Sequence, residues 1–372
     1  MRYYIIVGEA SGDMYAADLM KNLIAKDQNS DFRFCGGDKM CAINSNLYRH
    51  YSHNNYMGFW EVVIHAKSIL QYIKDVQEDI KNYKPDVIVL VDYPGFNLKI
   101  AKFAKSLVIP VHYYISPKIW AWKEKRVHKI IKYVQHMYCI FPFEVDFYKK
   151  YNYTVDYVGN PLMDQIYNFK ASENYIQNFT KPVIAILPGS RKGEIRKMLP
   201  IFYEFAQKHP NYDCIIAGAP SIPESFYREI VGEKTKIVFN QTYDLLNVAH
   251  CALVTSGTAT LETALFKVPQ IVCYKISALT YTIIKFLIQI KYISLVNLIL
   301  DKECVKELIQ NDLNLNCLNI EFNKLINQDF RENQLNDYEI LQDKMGKPGA
   351  SALVADKIIH YSKLYQIKKE TI

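Results

Sequence analysis

Short apolar runs alternate with longer amphipathic stretches along most of the 372-residue chain. The runs are Tyr3–Val7, Val87–Tyr93, Val111–Ile115, Met137–Phe141 and Thr154–Val158, then, after a gap, Val183–Leu187, Cys214–Ala217, Lys236–Phe239, Ala252–Thr255 and Gln270–Tyr274. They are continuous rather than alternating, which suits strands covered on both faces in a parallel sheet. Between them, Ala16, Met20, Leu23 and Ile24 recur at i, i+4, i+7 and i+8, one stripe of a helix. Strand–helix alternation on this scale predicts a doubly wound α/β fold.

The alternation pauses once, over the polar stretch 161–182, which has no strand-like run. A break of that kind suits a linker between two domains. The expected organisation is a Rossmann-like domain over 1–160, a linker over 161–180 and a second Rossmann-like domain over 181–345. Gly346-Lys347-Pro348-Gly349 then breaks the chain before a last segment, 346–372, with Val354, Ile358, Tyr361 and Tyr365 on one helical face. That helix is expected to pack back on the first domain. Two such domains face an interdomain cleft at the carboxyl ends of their sheets, where open α/β sheets bind ligands.

Composition narrows the class. With 50% hydrophobic, 13% aromatic and 22% charged residues, the profile is globular. The excess of 45 basic over 38 acidic residues gives +7. It suits an anionic small molecule or a membrane surface and is too diffuse for nucleic acid. The eight cysteines form no C-x-x-C and no zinc-like spacing, so they read as reduced thiols of a cytosolic protein. Tyr3–Val7 is too short for a signal-peptide core. The longest apolar stretch, Ile276 to Leu300, is interrupted by Lys285 and Lys291 and falls short of the roughly 20 uncharged residues of a spanning helix.

Four strand-to-helix turns carry candidate chemistry. Leu187-Pro188-Gly189-Ser190-Arg191-Lys192-Gly193-Glu194 puts glycines and two bases where helix amides are free. It reads either as an ordinary solvated turn or as a phosphate contact through Gly189, Ser190 and Arg191. Thr255-Ser256-Gly257-Thr258-Ala259-Thr260-Leu261-Glu262 is either a capped helix start or a second phosphate site, with Glu262 placed to accept ribose hydroxyls. Two such turns in one domain favour a nucleoside diphosphate. Neither is a Walker loop or a G-x-G-x-x-G, so ATPase and dehydrogenase readings lose support. Gly8-Glu9-Ala10-Ser11-Gly12-Asp13 is the third turn, with Asp13 either capping or functional. In the fourth turn, Asp92 ends the strand Val87–Val91 and is either a structural acid in the Pro94 turn or a general base. No D-x-D occurs, so no metal and no cofactor is expected, and helix ends with Arg must carry diphosphate charge.

Two apolar segments read as core helix or as a greasy, base-rimmed surface for acyl chains or a bilayer. They are the stretch around Met57, Phe59, Trp60, Val62 and Val63, and Ile276 to Leu300. Ser116-Pro117-Lys118-Ile119-Trp120-Ala121-Trp122, followed by Lys123, Lys125 and Arg126, is either a packed loop or a wall for a lipid or sugar phosphate.

Together the segments resemble the lipid-A-disaccharide synthase family, glycosyltransferases of the GT-B fold class. The likeness runs from GEASGD at 8–13 through MGFWEV at 57–62, SPKIWAW at 116–122, FPFE at 141–144, LPGSR at 187–191 and SGTATLE at 256–262 to SLVNLIL at 294–300. Each piece is weakly specific; their order over nearly the whole chain is highly specific. The resemblance implies a GT-B enzyme that joins UDP-2,3-diacylglucosamine to 2,3-diacylglucosamine 1-phosphate (lipid X). The products are the β-1,6 disaccharide and UDP. It implies that Gly189, Ser190, Arg191, Ser256, Gly257, Thr258, Glu262 and Asn297 hold the UDP half. Ser11, Gly12, Ser116, Trp120 and Trp122 would line the sugar and acceptor side. Met57, Phe59, Trp60, Val62 and Val63 would meet acyl chains or the cytoplasmic face of the inner membrane, with the protein peripherally associated there. A homodimer is implied by family likeness alone.

Two departures bear on catalysis. A family-like D-A-P-D-F-N reads Asp92-Tyr93-Pro94-Gly95-Phe96-Asn97 here, and a family-like G-H-P reads Gly159-Asn160-Pro161. Gly95 supplies no acid, so Asp92, Asp13 or Glu9 must act, with Asp92 the expected base of an inverting transfer. The competing readings are another GT-B enzyme (a lipid-carrier glycosyltransferase or a UDP-N-acetylglucosamine 2-epimerase) and a non-catalytic nucleotide-sugar-binding protein at a membrane surface.

Overall fold

The computed structural model describes residues 1–54, 66–172, 179–277, 280–282 and 291–370. The first half runs β1 (Arg2–Ile6), α1 (Ala10–Lys26), β2 (Asp31–Gly36), α2 (Asp38–Cys41), β3 (Leu47–His50), α3 (Ala66–Tyr83), β4 (Val87–Val91), α4 (Pro94–Ser106), β5 (Val111–Tyr114), α5 (Val127–Tyr133), β6 (His136–Cys139), α6 (Pro142–Lys149), β7 (Asp156–Tyr157) and α7 (Pro161–Asn168). The second half runs β8 (Val183–Leu187), α8 (Lys192–Lys208), β9 (Asp213–Gly218), α9 (Glu224–Val231), β10 (Lys236–Phe239), α10 (Thr242–Val248), β11 (Ala249–Thr255), α11 (Thr258–Leu265), β12 (Gln270–Tyr274), α12 (Leu295–Leu300), β13 (Lys306–Ile309), α13 (Leu315–Leu325), α14 (Gln328–Met345) and α15 (Ala350–Glu370).

The chain divides into two compact units: Met1–Asp164 with Lys347–Ile372, and Gln165–Gly346. Unit 1 holds a parallel sheet ordered β3-β2-β1-β4-β5-β6-β7; unit 2 holds a parallel sheet ordered β10-β9-β8-β11-β12-β13. Both are doubly wound, as the alternation predicts. Every residue of β4 and of β8 is buried. That burial explains why these two strands read as unbroken apolar runs. Strand order reverses between β1 and β4 in unit 1 and between β8 and β11 in unit 2. Each reversal opens a crevice at the carboxyl ends of the strands.

The structure departs from the sequence reading at strand ends and sheet edges. β4 stops at Val91 rather than Tyr93, because Asp92 and Tyr93 adopt left-handed φ of 44° and 49°. β5 likewise stops at Tyr114, before Ile115 at φ 66°. Phe141 leaves β6 to cap α6, and the Thr154–Val158 run pairs only over Asp156–Tyr157. β2, β3 and β13 have no counterpart among the apolar runs. β3 and β13 lie at sheet edges with mostly half-buried residues, so polar side chains are tolerated there.

The stretch expected to be a linker contains α7, which starts after Asn160, whose Oδ1 accepts from Leu162 N at 3.0 Å. Asp164 on α7 accepts from the amides of Gly349 and Ser351, tying it to the start of α15. Within unit 1, α15 is held by Lys26–Asp356 at 2.5 Å, Lys357–Asp156 at 2.8 Å and a stack of Tyr361 on His136 at 3.9 Å.

Candidate functional site

In unit 2 the two hydroxyl- and glycine-bearing turns leave neighbouring strands. Leu187 and Val254 are register partners, so the turns after β8 and β11 emerge side by side at the reversal. Gly189 sits at φ 109°. A Cβ on it would come within 3.2 Å of Glu194 Oε2 and 3.3 Å of Thr255 Cγ2, so the turns are pressed together and only glycine fits. Gly257, at φ 135°, precedes α11. Neither α8 nor α11 has a side-chain cap on its first amides. Two uncapped helix starts at one reversal present free N–H donors and positive dipole ends to an anion. Ser190 and Arg191 are exposed beside them. The Arg191 side chain is 69% exposed and, among the described residues, pairs only with Glu194 at 3.2 Å, a weak surface pair that an anion displaces readily.

Glu262, on α11, accepts from Tyr243 Oη at 3.0 Å, and burial raises its proton affinity. Thr258 opens α11, and Ser256 Oγ donates to Ile293 O at 3.0 Å. Asn297 is placed differently from what the resemblance implies. It is fully buried; its Nδ2 donates to Val305 O at 2.8 Å and Glu307 Oε1 at 2.9 Å, and its Oδ1 accepts from Cys304 N and Val305 N at 2.8 and 2.9 Å. An amide has two N–H groups and two lone pairs, so none remains for a ligand. Asn297 braces the loop whose Ile293 carbonyl holds Ser256. Glu307 completes that brace, accepting from Ile293 N at 3.0 Å and Ser294 N at 2.9 Å. Its place in an edge strand gave the sequence no motif by which to find it.

In unit 1 the crossing of β1 and β4 brings GEASGD against Asp92. Gly8 lies so close to the Tyr93 ring that any Cβ would collide with it. The left-handed turn is pinned by Asn97 Nδ2, which donates to Val91 O at 3.2 Å and Asp92 O at 2.8 Å, and by the Tyr113 hydroxyl on Asp92 O. Two consecutive non-glycine residues at positive φ are strained, and these bonds hold the strain. The Asp92 carboxyl is pushed up to about 6, chiefly by burial and then by the Glu9 charge, with Lys118 pulling the other way. Glu9 is half-buried and accepts from Ser11 Oγ at 2.6 Å. Gly12 lets α1 lie against β1, its Cβ position 3.3 Å from Val7 Cβ.

Asp13 is occupied. Its carboxylate accepts from Gly37 N at 2.7 Å, Lys39 N at 2.9 Å and Met40 N at 3.2 Å, capping α2 from across the sheet end. The SPKIWAW loop is divided: Ser116 is buried with its Oγ 2.9 Å from Tyr148 Oη, and Trp120 Nε1 donates to Glu144 Oε1 at 3.1 Å. Trp122 is 43% exposed, with Lys123 Nζ 4.1 Å and Arg126 5.6 Å from its ring. Glu144, the acid of the FPFE segment, also accepts from Ile140 N and Phe141 N at 3.1 Å each. Burial lifts its carboxyl to about 7 against those bonds. Met57, Phe59, Trp60, Val62 and Val63 lie outside the described residues. Among those described, no group of three or more His, Cys, Asp or Glu gathers as a metal site, and no helix is long and apolar enough to cross a membrane.

Solved structures with this arrangement include the UDP-GlcNAc 2-epimerase of Neisseria meningitidis bound to UDP-GlcNAc (TM-score 0.69, 14% identity, 97% of this chain and 100% of that one). They also include the glycotransferase of kitacinnamycin (TM-score 0.65, 10% identity, 96% and 98%). At these identities they fix the fold, which is the GT-B arrangement of two parallel-sheet domains. The family model described as lipid-A-disaccharide synthetase matches residues 3–352. The lipid-A-disaccharide synthase of Syntrophus aciditrophicus is 34% identical over 94% of this chain and 95% of that protein. That of Coxiella burnetii is 32% identical over 96% and 97%. The chain therefore belongs to the lipid-A-disaccharide synthase family of glycosyltransferases.

Proposed function

We propose that this enzyme joins UDP-2,3-diacylglucosamine to 2,3-diacylglucosamine 1-phosphate by a single inverting displacement, with unit 2 holding the UDP half and Asp92 acting as base. The acceptor 6-hydroxyl oxygen attacks the donor anomeric carbon. As that C–O bond forms, the bond to the diphosphate oxygen breaks and its electron pair leaves with UDP. The hydroxyl proton passes to Asp92. A carboxylate lifted to about 6 is basic enough to take a proton yet still ionised at neutral pH. Glu9 and Asp13 were the other candidates; Asp13 is already engaged by three amides, and Glu9 acts on Asp92 through its charge.

The observation that carries this reading is the pair of uncapped helix starts at the β8–β11 reversal, with Arg191 exposed between them and solvent. Amides of Ser190, Gly257 and Thr258 and the Arg191 guanidinium stabilise charge growing on the departing diphosphate, the term that usually dominates such catalysis. Gly189 allows the close approach, Glu262 accepts the ribose hydroxyls, and Ser256 and Asn297 fix the loop beside them. This division of labour needs no metal ion. Lys118, Trp120 and the Glu144 hub shape the acceptor side, and Ser11, Gly12 and Ser116 set the loops around it.

Peripheral association with the inner face of the inner membrane follows from the same reading, because both substrates are acylated. The +7 net charge and the exposed Trp122, with Lys123 and Arg126 close to its ring, support it. The deciding experiment incubates purified protein with both substrates and looks for disaccharide and UDP by mass spectrometry. Formation of the disaccharide with α-to-β inversion is expected. Calorimetry that detects no UDP binding at saturating concentrations ends the donor-site assignment.

A further inference from the structure

A cavity of about 670 Å³ opens between α3, α4 and α5, wholly within unit 1. Its floor is apolar, built on the buried Leu98 and Ile73 and the half-buried Phe103, with Leu70 of α3 53% exposed at its margin. Its rim is cationic: Lys99 and Lys102 project from α4, and Arg126 and Lys129 from the start of α5. No carboxylate lines it, and none of these four cations has an ion pair among the described residues. Burial lowers the proton affinity of Arg126, as expected for a cation held without an anion. Four like charges around one hollow repel each other unless something negative sits among them.

The cavity is also joined to the turn that bears the base. Pro94 and Gly95 line it, two and three residues beyond Asp92. A Cβ at Gly95 would meet nothing within 4 Å, so glycine there is not demanded by packing, and its effect is to leave that stretch of wall bare and uncharged.

We propose that this cavity receives the phosphomonoester of an acylated sugar phosphate, with Lys99, Lys102, Arg126 and Lys129 around the phosphate and Leu98 and Phe103 beneath an acyl chain. The inference rests on the acceptor assignment above and deepens it by locating the acceptor's charge. A phosphomonoester carries close to two negative charges near neutral pH and three acceptor oxygens, which matches a ring of several cations better than a carboxylate does. The volume suits a small amphiphile, and a greasy floor under a charged rim suits a ligand with both characters.

The test uses the full-length protein and the double charge reversal Lys102→Glu with Lys129→Glu. Calorimetry with dodecyl phosphate is expected to show binding to the wild type, weakened about tenfold or more in the variant. Dodecyl maltoside, which has no charge, should bind both proteins alike and more weakly. In steady-state assays KM for 2,3-diacylglucosamine 1-phosphate rises by a similar factor, with KM for the UDP-sugar unchanged. Equal dodecyl phosphate affinity in the two proteins overturns the proposal. So does weakened binding to phosphatidylglycerol vesicles with an unchanged acceptor KM, which would assign the cations to a bilayer surface. Should the reversal lower the thermal midpoint, Lys102→Gln with Lys129→Gln carries the same comparisons. If neither protein turns over the UDP-sugar, the activity reading fails while the calorimetric comparison still decides what the cavity binds.

Discussion

At the scale of single residues, the chemistry is concentrated in side chains whose surroundings set their proton or charge state. Asp92 is the clearest case, since burial and the Glu9 charge hold its carboxyl at about 6. Acting as the proposed base, it must be ionised, so kcat/KM is expected to be flat above pH 7 and to fall as pH drops through about 6. A pH–rate profile checks this; an acid limb near 4 would mean that an ordinary, solvated carboxylate is the base. Asp92→Asn keeps the shape and removes the proton acceptor, and a loss of about 10²–10⁴ in kcat is expected, with UDP affinity unaltered. Arg191→Ala acts elsewhere: its guanidinium is exposed and weakly paired, so folding should be untouched. Its loss should raise the donor KM and lower kcat/KM by about 10–100-fold, read from initial rates over a range of UDP-sugar.

At the scale of elements, the proposed site rests on turns and helix starts, and these divide into what periodicity reveals and what it hides. Gly189→Ala tests one turn. Its φ of 109° and the contacts its Cβ would make with Glu194 and Thr255 both oppose a side chain. About 1–3 kcal/mol of destabilisation in urea unfolding is expected, together with weaker UDP binding. The buried strands Val87–Val91 and Val183–Leu187 were legible because both faces are covered and every position must be apolar. β13, reading KELI, was not, since an edge strand tolerates Lys306 and Glu307. Glycines and hydroxyls after a strand point to the two turns proposed to hold the diphosphate, because that chemistry is local in sequence. Asp13 was ambiguous for the opposite reason. Its three partner amides lie at 37–40, more than twenty residues away, and no local pattern reports them. Glu144 and Asn297 are hidden in the same way: each satisfies groups on its own loop and on a neighbouring segment, so their type was visible and their role was not.

At the scale of the molecule, the terminal helix makes the chain return to the unit where it began, and its seat contains histidines kept neutral by burial. His112 is fully buried, with Nδ1 2.8 Å from Tyr138 Oη and its ring stacked 4.8 Å from His136. His136 in turn stacks on Tyr361 of α15, beside the Lys357–Asp156 pair. Burial lowers the proton affinity of both rings; for His112 the neighbouring His136 lowers it further, and for His136 the Asp156 charge partly offsets the burial. The sign follows from linkage. In the unfolded chain each imidazole takes up a proton near pH 6.5, whereas the folded state resists doing so until lower pH. Below about 6.5 the unfolded state therefore binds more protons, and stability is lost as pH falls, by at most about 1.4 kcal/mol per pH unit for each group. Urea titrations at pH 7.5 and 5.5 should show a lower midpoint in acid. His136→Phe keeps a ring against Tyr361 and removes one titration, so its acid loss should be smaller than that of the wild type. An unchanged pH dependence in that variant would move the acid sensitivity to groups away from the α15 seat. Limited proteolysis distinguishes the two cases directly, because weakening at this seat frees the last helix for cleavage before the sheet itself opens.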